Sequence, residues 1–488
     1  MATVQRFILL PPRGTTTAAF PGNAHVSTFM RTLTVAPRRS AANKNLRVID
    51  STHENGIKLV EMTPEGVMAL RQEEPGVRIV PEVFYDVARA PRPQLLSRAK
   101  TSSGAAPALS QLSLVVERSG SPVAGALVVA FTDYANQIGD QGTTRANGSV
   151  SLKVGARARI ERLYVYPLQG CWPMVFRNVQ LPSSTPFELP AIDFNKPDAL
   201  QHFRGSNPGG DGAQVVVGIV DTGCGPHPDL AVAGGLNTVI GENPADFGDN
   251  GDQHGTHVAG IVASSGAAPS AMAGIAPTVS LRSYRVFPRG RSASNYSIAK
   301  AIDAAVSDGC DLINLSLGSQ GLADPATSSA IADARGAGVA VFCASGNDGL
   351  PSVSQPAADQ RAVAVGCFGR KGSSPRNSVA DGSLGRASTL DKANRMATFS
   401  NHGVEIDMAG PGVGIISTVP GGNWAVMDGT SMACPAVVGM VSRLLSANAA
   451  VRTMARDQAR SDAILKLAFQ AARKLGFGPQ YEGNGWIA

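Results

Sequence analysis

The sequence predicts an α/β protein in which a mostly parallel sheet is flanked by helices, preceded by a small α+β domain and a β-sandwich domain. Three patterns predict it. From residue 196 to 488, short apolar runs alternate with helix-like segments, as parallel strands do when crossover helices join them. From 108 to 195, strand-like runs recur between turn signals without a helical period. Near the N-terminus, two apolar runs flank Asn55-Gly56, and a capped helix and a further strand follow. With 488 residues the chain is too long for one ordinary core. The patterns divide it into an α+β domain over 1–90, a linker over 91–107, a sandwich over 108–195 and a third domain over 196–488.

Each part follows from local chemistry. Residues 1 to about 45 show little periodicity and read as an arm with one strand. Leu46 to Ile49 and Ile57 to Met62 read as a hairpin. Thr63-Pro64 is a helix N-cap with proline at the first helical position; Val67 and Leu70 share a face, and Pro75-Gly76 ends the helix before a strand from Val77 to Val80. Pro, Ser and basic residues dominate the linker. Leu112 to Val116, Ala124 to Phe131, Ser149 to Val154 and Ile160 to Tyr166 are the sandwich strands. A second linker runs from Pro182 to Gly212. Beyond it, Val215 to Val220, Val279 to Val286, Leu312 to Leu317, Val339 to Ala344 and Ala362 to Cys367 read as strands. Ser297 to Asp308 and Ser329 to Gly336 read as helices, and residues 370 to 395 as a long polar, basic loop.

Three stretches carry chemistry. Gly429-Thr430-Ser431-Met432-Ala433 leads a loop into an apolar helix and sets Ser431 at its N-terminus, where free N–H groups favour developing negative charge. Gly218 to Gly223 ends a strand on Asp221. His254-Gly255-Thr256-His257 supplies an imidazole that can take and return a proton. A lone serine there reads equally as a cap, and a strand-ending aspartate as a turn residue. Together and in this order, the stretches resemble the signature of subtilisin-like serine proteases, the subtilases.

That resemblance implies roles. Asp221, His254 and Ser431 would be the catalytic triad, and the Asn347 amide, in Ser345-Gly346-Asn347-Asp348, the oxyanion donor. Ser316, Leu317 and Gly318 would pair with an extended peptide, opposite an edge at Arg291 to Asn295. The N-terminal unit is similar to the inhibitor-type propeptides of subtilases, which implies an autoprocessed zymogen cut between about Phe84 and Lys100. The 108–195 segment resembles a carboxypeptidase-regulatory β-sandwich. The implied function is hydrolysis of peptide bonds by a serine endopeptidase. Its implied partners are a polypeptide substrate and its own N-terminal domain as an intramolecular inhibitor. No organic cofactor is implied. Asp229 matches a calcium-ligating position, yet the accompanying Ser264 to Ser270 loop carries neither carboxylates nor amides, so the sequence gives calcium no cage and no metal ligands are expected. The same acyl-enzyme would serve a peptide ligase, and a binding scaffold acting through the sandwich would need none of the triad.

Composition bounds these readings. The 43% hydrophobic and 16% charged content excludes a disordered chain, and a net charge of +6 without a dense Lys/Arg run implies no nucleic-acid partner. No run suits a membrane span. Phe7 to Leu10 stops at Pro11-Pro12, too short for a secretion signal, and the six cysteines show no paired spacing. Both observations lead to the expectation of buried, reduced thiols and a cytoplasmic location, with secretion by a route not legible in the sequence as the alternative.

Overall fold

A nine-stranded sheet organises the C-terminal part of the chain, in a computed structural model that describes residues 3–11, 26, 28–33, 46–98, 111–154, 159–181, 185–205, 210–267, 271–321 and 323–487. Most of the expected N-terminal arm, the linker beyond residue 98, parts of the second linker and the end of the 264–270 loop lie outside the described residues.

In spatial order the sheet runs Val232–Asn237, Ser280–Arg285, Val216–Asp221, Leu312–Leu315, Ala340–Ala344 and Val363–Arg370, all parallel. Val363–Arg370 also pairs with Ile406–Pro411 in parallel and with Asn394–Ala397 antiparallel, and Leu384–Ala387 completes the sheet, which is therefore mixed. The central strands Val216–Asp221, Leu312–Leu315 and Ala340–Ala344 are mostly apolar because both faces are covered. Val217 and Ile219 join the core of helices His254–Ala263 and Thr430–Ala447; Val220, Ile313 and Leu315 join that of helices Asn295–Ser307 and Pro325–Gly336. Thr430–Ala447 is the one helix among the described residues long and apolar enough to cross a membrane, and it lies mostly buried in this core.

The expected strand from Leu312 to Leu317 divides. Leu312–Leu315 stays in the main sheet, while Leu317–Gly318 turns out to a second, three-stranded sheet. The 370 to 395 stretch, read as a loop, instead contains the short helix Val379–Gly382 and the strand Leu384–Ala387. These pack beneath the sandwich, where Val175 N–H donates to Asn377 O at 3.0 Å and Val379 N–H to Pro173 O at 2.9 Å. The helix Gln458–Ala471, which pattern reading passed over, packs through Ile464 and Ala468. The second linker is also partly structured: Phe187–Glu188 pairs with Gln111–Arg118 of the sandwich, and Ala199–Arg204 is a helix capped by Asp198.

The sandwich has two sheets. One holds, in order, Met174–Gln180, Arg159–Tyr166, Leu127–Asp133, Ile138–Thr143 and Ser97–Arg98; the other is built on Gln111–Arg118, Ser149–Lys153 and Phe187–Glu188. Val128 and Ala130 face its inner core, while Val129 and Phe131 lie in a second cluster with Tyr164 and Tyr166, the alternation of a pleated strand. Ser97–Arg98 thus makes an edge strand of a stretch read as linker.

The N-terminal unit is an antiparallel sheet in the order Leu46–Ser51, Lys58–Met62, Gln5–Leu10, Arg78–Pro81, with helix Pro64–Glu73 on one face. Leu9, Val60 and Met62 meet Val67 and Leu70 there. Ile8, Leu10, Ile57 and Leu59 point the opposite way, into the cluster that contains Ile298, Ile302 and Ile331 of the two outer helices. Lys300–Asp50, at 2.5 Å, and Ser294–Glu82, at 2.6 Å, border this contact. From here the chain enters the cleft beside the Ser431 helix.

Candidate active site

Asp221 ends its strand at the carboxyl edge of the sheet, and its Oδ1 accepts the Thr222 N–H at 2.7 Å. The same oxygen lies 2.8 Å from His254 Nδ1, which fixes Nδ1 as the protonated nitrogen and leaves Nε2 as the base. His254 opens helix His254–Ala263 after Gln253, whose left-handed backbone (φ 73°) aims the helix start at the strand end. Ser431 stands in the first turn of Thr430–Ala447, reached through Gly429. A Cβ on Gly429 would come within 2.9 Å of the Ala88 carbonyl oxygen, so the close approach of the two backbones needs glycine here. The Asp221, His254 and Ser431 side chains are all wholly buried.

What buries them is the chain itself. Phe84–Val87 forms the middle strand of a three-stranded antiparallel sheet, between Ala293–Ser294 and Leu317–Gly318. Ala88 N–H donates to Ser316 O at 3.2 Å, and the Ser431 hydroxyl lies 2.5 Å from Ala88 O and 3.0 Å from Ser316 O. Beyond Ala88 the chain kinks. Arg89 N–H returns to Val87 O at 2.9 Å, Ala90 N–H donates to Asp428 O at 3.0 Å, and the Arg89 guanidinium meets the Asp252 carboxylate. Three acidic residues precede His254: Asp252 holds this arginine, Asp246 pairs with Arg285, and Asp249 binds Thr256 and its own loop.

Asn347 Oδ1 accepts from Thr430 N–H at 2.8 Å and from the Thr430 hydroxyl at 3.0 Å. Asn347 Nδ2 is buried without an acceptor, and Asp221 Oδ2 and His254 Nε2 are buried without a donor. Unmade bonds at buried polar atoms are costly. The competing imidazole, His257, is neutral: burial pushes its pKa down to about 3 while Nε2 faces Ile415 O and Ala425 O at 3.1 and 3.2 Å. Ser316 is more than a backbone contact, since its hydroxyl ties Asn314 Nδ2 to Ser431 O, both at 2.9 Å.

The Asp229 carboxylate accepts the Ser265 hydroxyl at 2.8 Å and Ala267 N–H at 3.1 Å, so it braces its own loop. Among the described residues no group of three His, Cys, Asp or Glu side chains converges.

Three residues were not singled out from the sequence: Tyr85, Asp324 and Ala88. Asp324-Pro325 is a helix-start signal that could have revealed the second, since Asp324 caps Pro325–Gly336 four residues before the helix start expected at Ser329.

Comparison with known proteins gives a consistent picture. The profile of the subtilase family (Peptidase_S8) matches residues 212–479. M-protease of Shouchella clausii (strain KSM-K16) is 36% identical over 242 residues, half of this chain and 57% of the relative. Subtilisin Savinase of Lederbergia lenta is 36% identical over 242 residues and 80% of its length, and Subtilisin DY of Bacillus licheniformis is 33% identical over 268 residues and 85% of its length. The chain therefore spans little more than half of M-protease but most of the other two. These secreted subtilisins and alkaline proteases overturn the cytoplasmic location expected from the first residues. The thiols carry no opposing weight: all six are free and buried, hence shielded from oxidants whatever the compartment.

Proposed function

The chain belongs to the subtilase family, and from that premise we propose that it is a serine endopeptidase, made as a zymogen whose own N-terminal unit fills the cleft. One observation carries the reading: a peptide carbonyl, that of Ala88, sits 2.5 Å from the Ser431 hydroxyl while both cleft edges hold the preceding residues as a strand.

In this reading the Ala88–Arg89 bond is the first one cut. Ser431 Oγ attacks the Ala88 carbonyl carbon, and its proton passes to His254 Nε2. Asp221 holds the ring and stabilises the imidazolium. Asn347 Nδ2 and the Ser431 N–H face the oxyanion. Collapse expels the Arg89 amine, which takes the proton from His254, and water then hydrolyses the Ala88 ester by the same route. The N-terminal unit stays seated through its apolar face on the outer helices, an inhibitor occupying its enzyme's substrate strand. Substrates are polypeptides that can be extended between the two edges.

A fluorophosphonate probe applied beside Ser431→Ala tests the reading. Labelling of the unsubstituted protein alone, with a new N-terminus at Arg89, is the expected outcome. Equal labelling of both proteins would remove Ser431 as nucleophile, and an active enzyme with an intact N-terminus would remove the zymogen.

A further inference from the structure

The segment in the cleft also reports what the cleft selects. Tyr85, the fourth residue before the Ala88–Arg89 bond, is 1% exposed and belongs to the apolar cluster that contains Ala293, Leu317 and Ala326. Its hydroxyl donates to Asp324 Oδ2 at 3.1 Å. A carboxylate at the end of an otherwise apolar pocket is an unusual floor, because burying it needs compensating donors. Asp324 is 5% exposed. Its Oδ1 accepts from Asn295 Nδ2 at 2.9 Å and Ala326 N–H at 3.0 Å, and its Oδ2 from the Thr327 hydroxyl at 2.6 Å and Thr327 N–H at 3.4 Å. These bonds hold the carboxylate at the start of helix Pro325–Gly336. Asn295 links the same group to the substrate edge, its Oδ1 accepting Val83 N–H at 3.1 Å.

We propose that Asp324 is a specificity-determining residue, which makes the enzyme prefer tyrosine to phenylalanine at the fourth position before the bond it cuts. The ring supplies the apolar contact and the hydroxyl answers the carboxylate. Phenylalanine fills the same pocket but leaves a buried charge facing a hydrocarbon edge. A site built to bond a hydroxyl rejects the analogue lacking it far more strongly than an apolar pocket resolves one methylene. The assignment rests on the endopeptidase reading above.

Two quenched fluorescent peptides test it, one with the sequence of residues 84–93 and one with phenylalanine at the position of Tyr85, both assayed on one preparation of the full chain after self-cleavage. The ratio of the two kcat/KM values cancels the active fraction. The tyrosine peptide is expected to be preferred about tenfold or more, the scale of a hydrogen bond to a charged group. Asp324→Asn, which keeps a helix-capping oxygen, is expected to bring the ratio towards one; if that variant does not fold, the peptide pair still decides. Cleavage of casein with equal kcat/KM for the two peptides overturns the tyrosine assignment and leaves the endopeptidase reading standing. Failure to cleave any substrate, with no fluorophosphonate label on Ser431, overturns both.

Discussion

At the scale of single residues, the site depends on atoms left without partners. Asn347 illustrates this: Thr430 takes its oxygen, and its nitrogen is buried without an acceptor. A donor that meets its acceptor only as charge develops lowers the barrier without tightening substrate binding. Asn347→Ala should therefore lower kcat with little change in KM. The size to expect is the loss of about 10²–10³ known for the corresponding asparagine of subtilisin, a relative of this chain. Steady-state kinetics on a peptide substrate checks it, and a rise in KM at constant kcat would assign Asn347 to ground-state binding instead.

At the scale of elements, the helix carrying His254 owes its position to the hairpin of Ile415–Val419 and Asn423–Met427. Ser417 and Thr418 hydroxyls donate to His257 O and Thr256 O at 2.8 and 2.9 Å, and the neutral His257 ring spans Ile415 and Ala425. This clamp makes stability depend on pH. Folding lowers the His257 pKa from 6.5 to about 3, so between those values the unfolded chain binds a proton that the folded chain does not. The contribution is whole above pH 6.5 and is lost as pH falls towards 3, on the order of 4–5 kcal/mol if complete. His257→Gln, in the non-cleaving Ser431→Ala background, should lose less stability between pH 7 and pH 4 than its parent. Parallel urea unfolding at the two pH values measures it, and equal losses would mean that other groups set the acid response.

At the scale of the whole molecule, three units meet around one cleft. The N-terminal sheet uses both faces, one for its own helix and one for the outer helices of the third unit. Leu59 lies on the second face and is fully buried. Leu59→Asp would bury an unpaired carboxylate between units, a cost that the contact can avoid only by opening. In the Ser431→Ala background, trypsin should then cut the chain within residues 46–98 while the C-terminal part survives. A digestion pattern unchanged from the parent would show that the strand in the cleft suffices to hold the unit. The sandwich closes the other side, since Gly170 N–H donates to Trp424 O at 2.8 Å and Trp172 packs against Gly414.

The strings around Asp221, His254 and Ser431 determined the family, and the alternation of apolar runs with helical segments determined the largely parallel sheet in which they lie. Their signals are local: an apolar strand ending in aspartate, a histidine opening a helix, and a serine after glycine at a helix start. Leu317–Gly318 and Ala293–Ser294, which pair with residues 84–87, fall within the two stretches that the family resemblance marked as peptide-pairing edges. The family resemblance already pointed to His254 rather than His257, and the structure has the His254 ring on Asp221 and the His257 ring on the backbone of Ile415 and Ala425. Tertiary structure alone decided how these groups pack. It also decided that residues 84–88 lie in the cleft, that the 370–395 stretch is a platform for the sandwich, and that Asp324 meets Tyr85. These are contacts between residues far apart in the chain, formed when burial of the apolar faces brings separate elements together, and no short window of sequence carries their geometry.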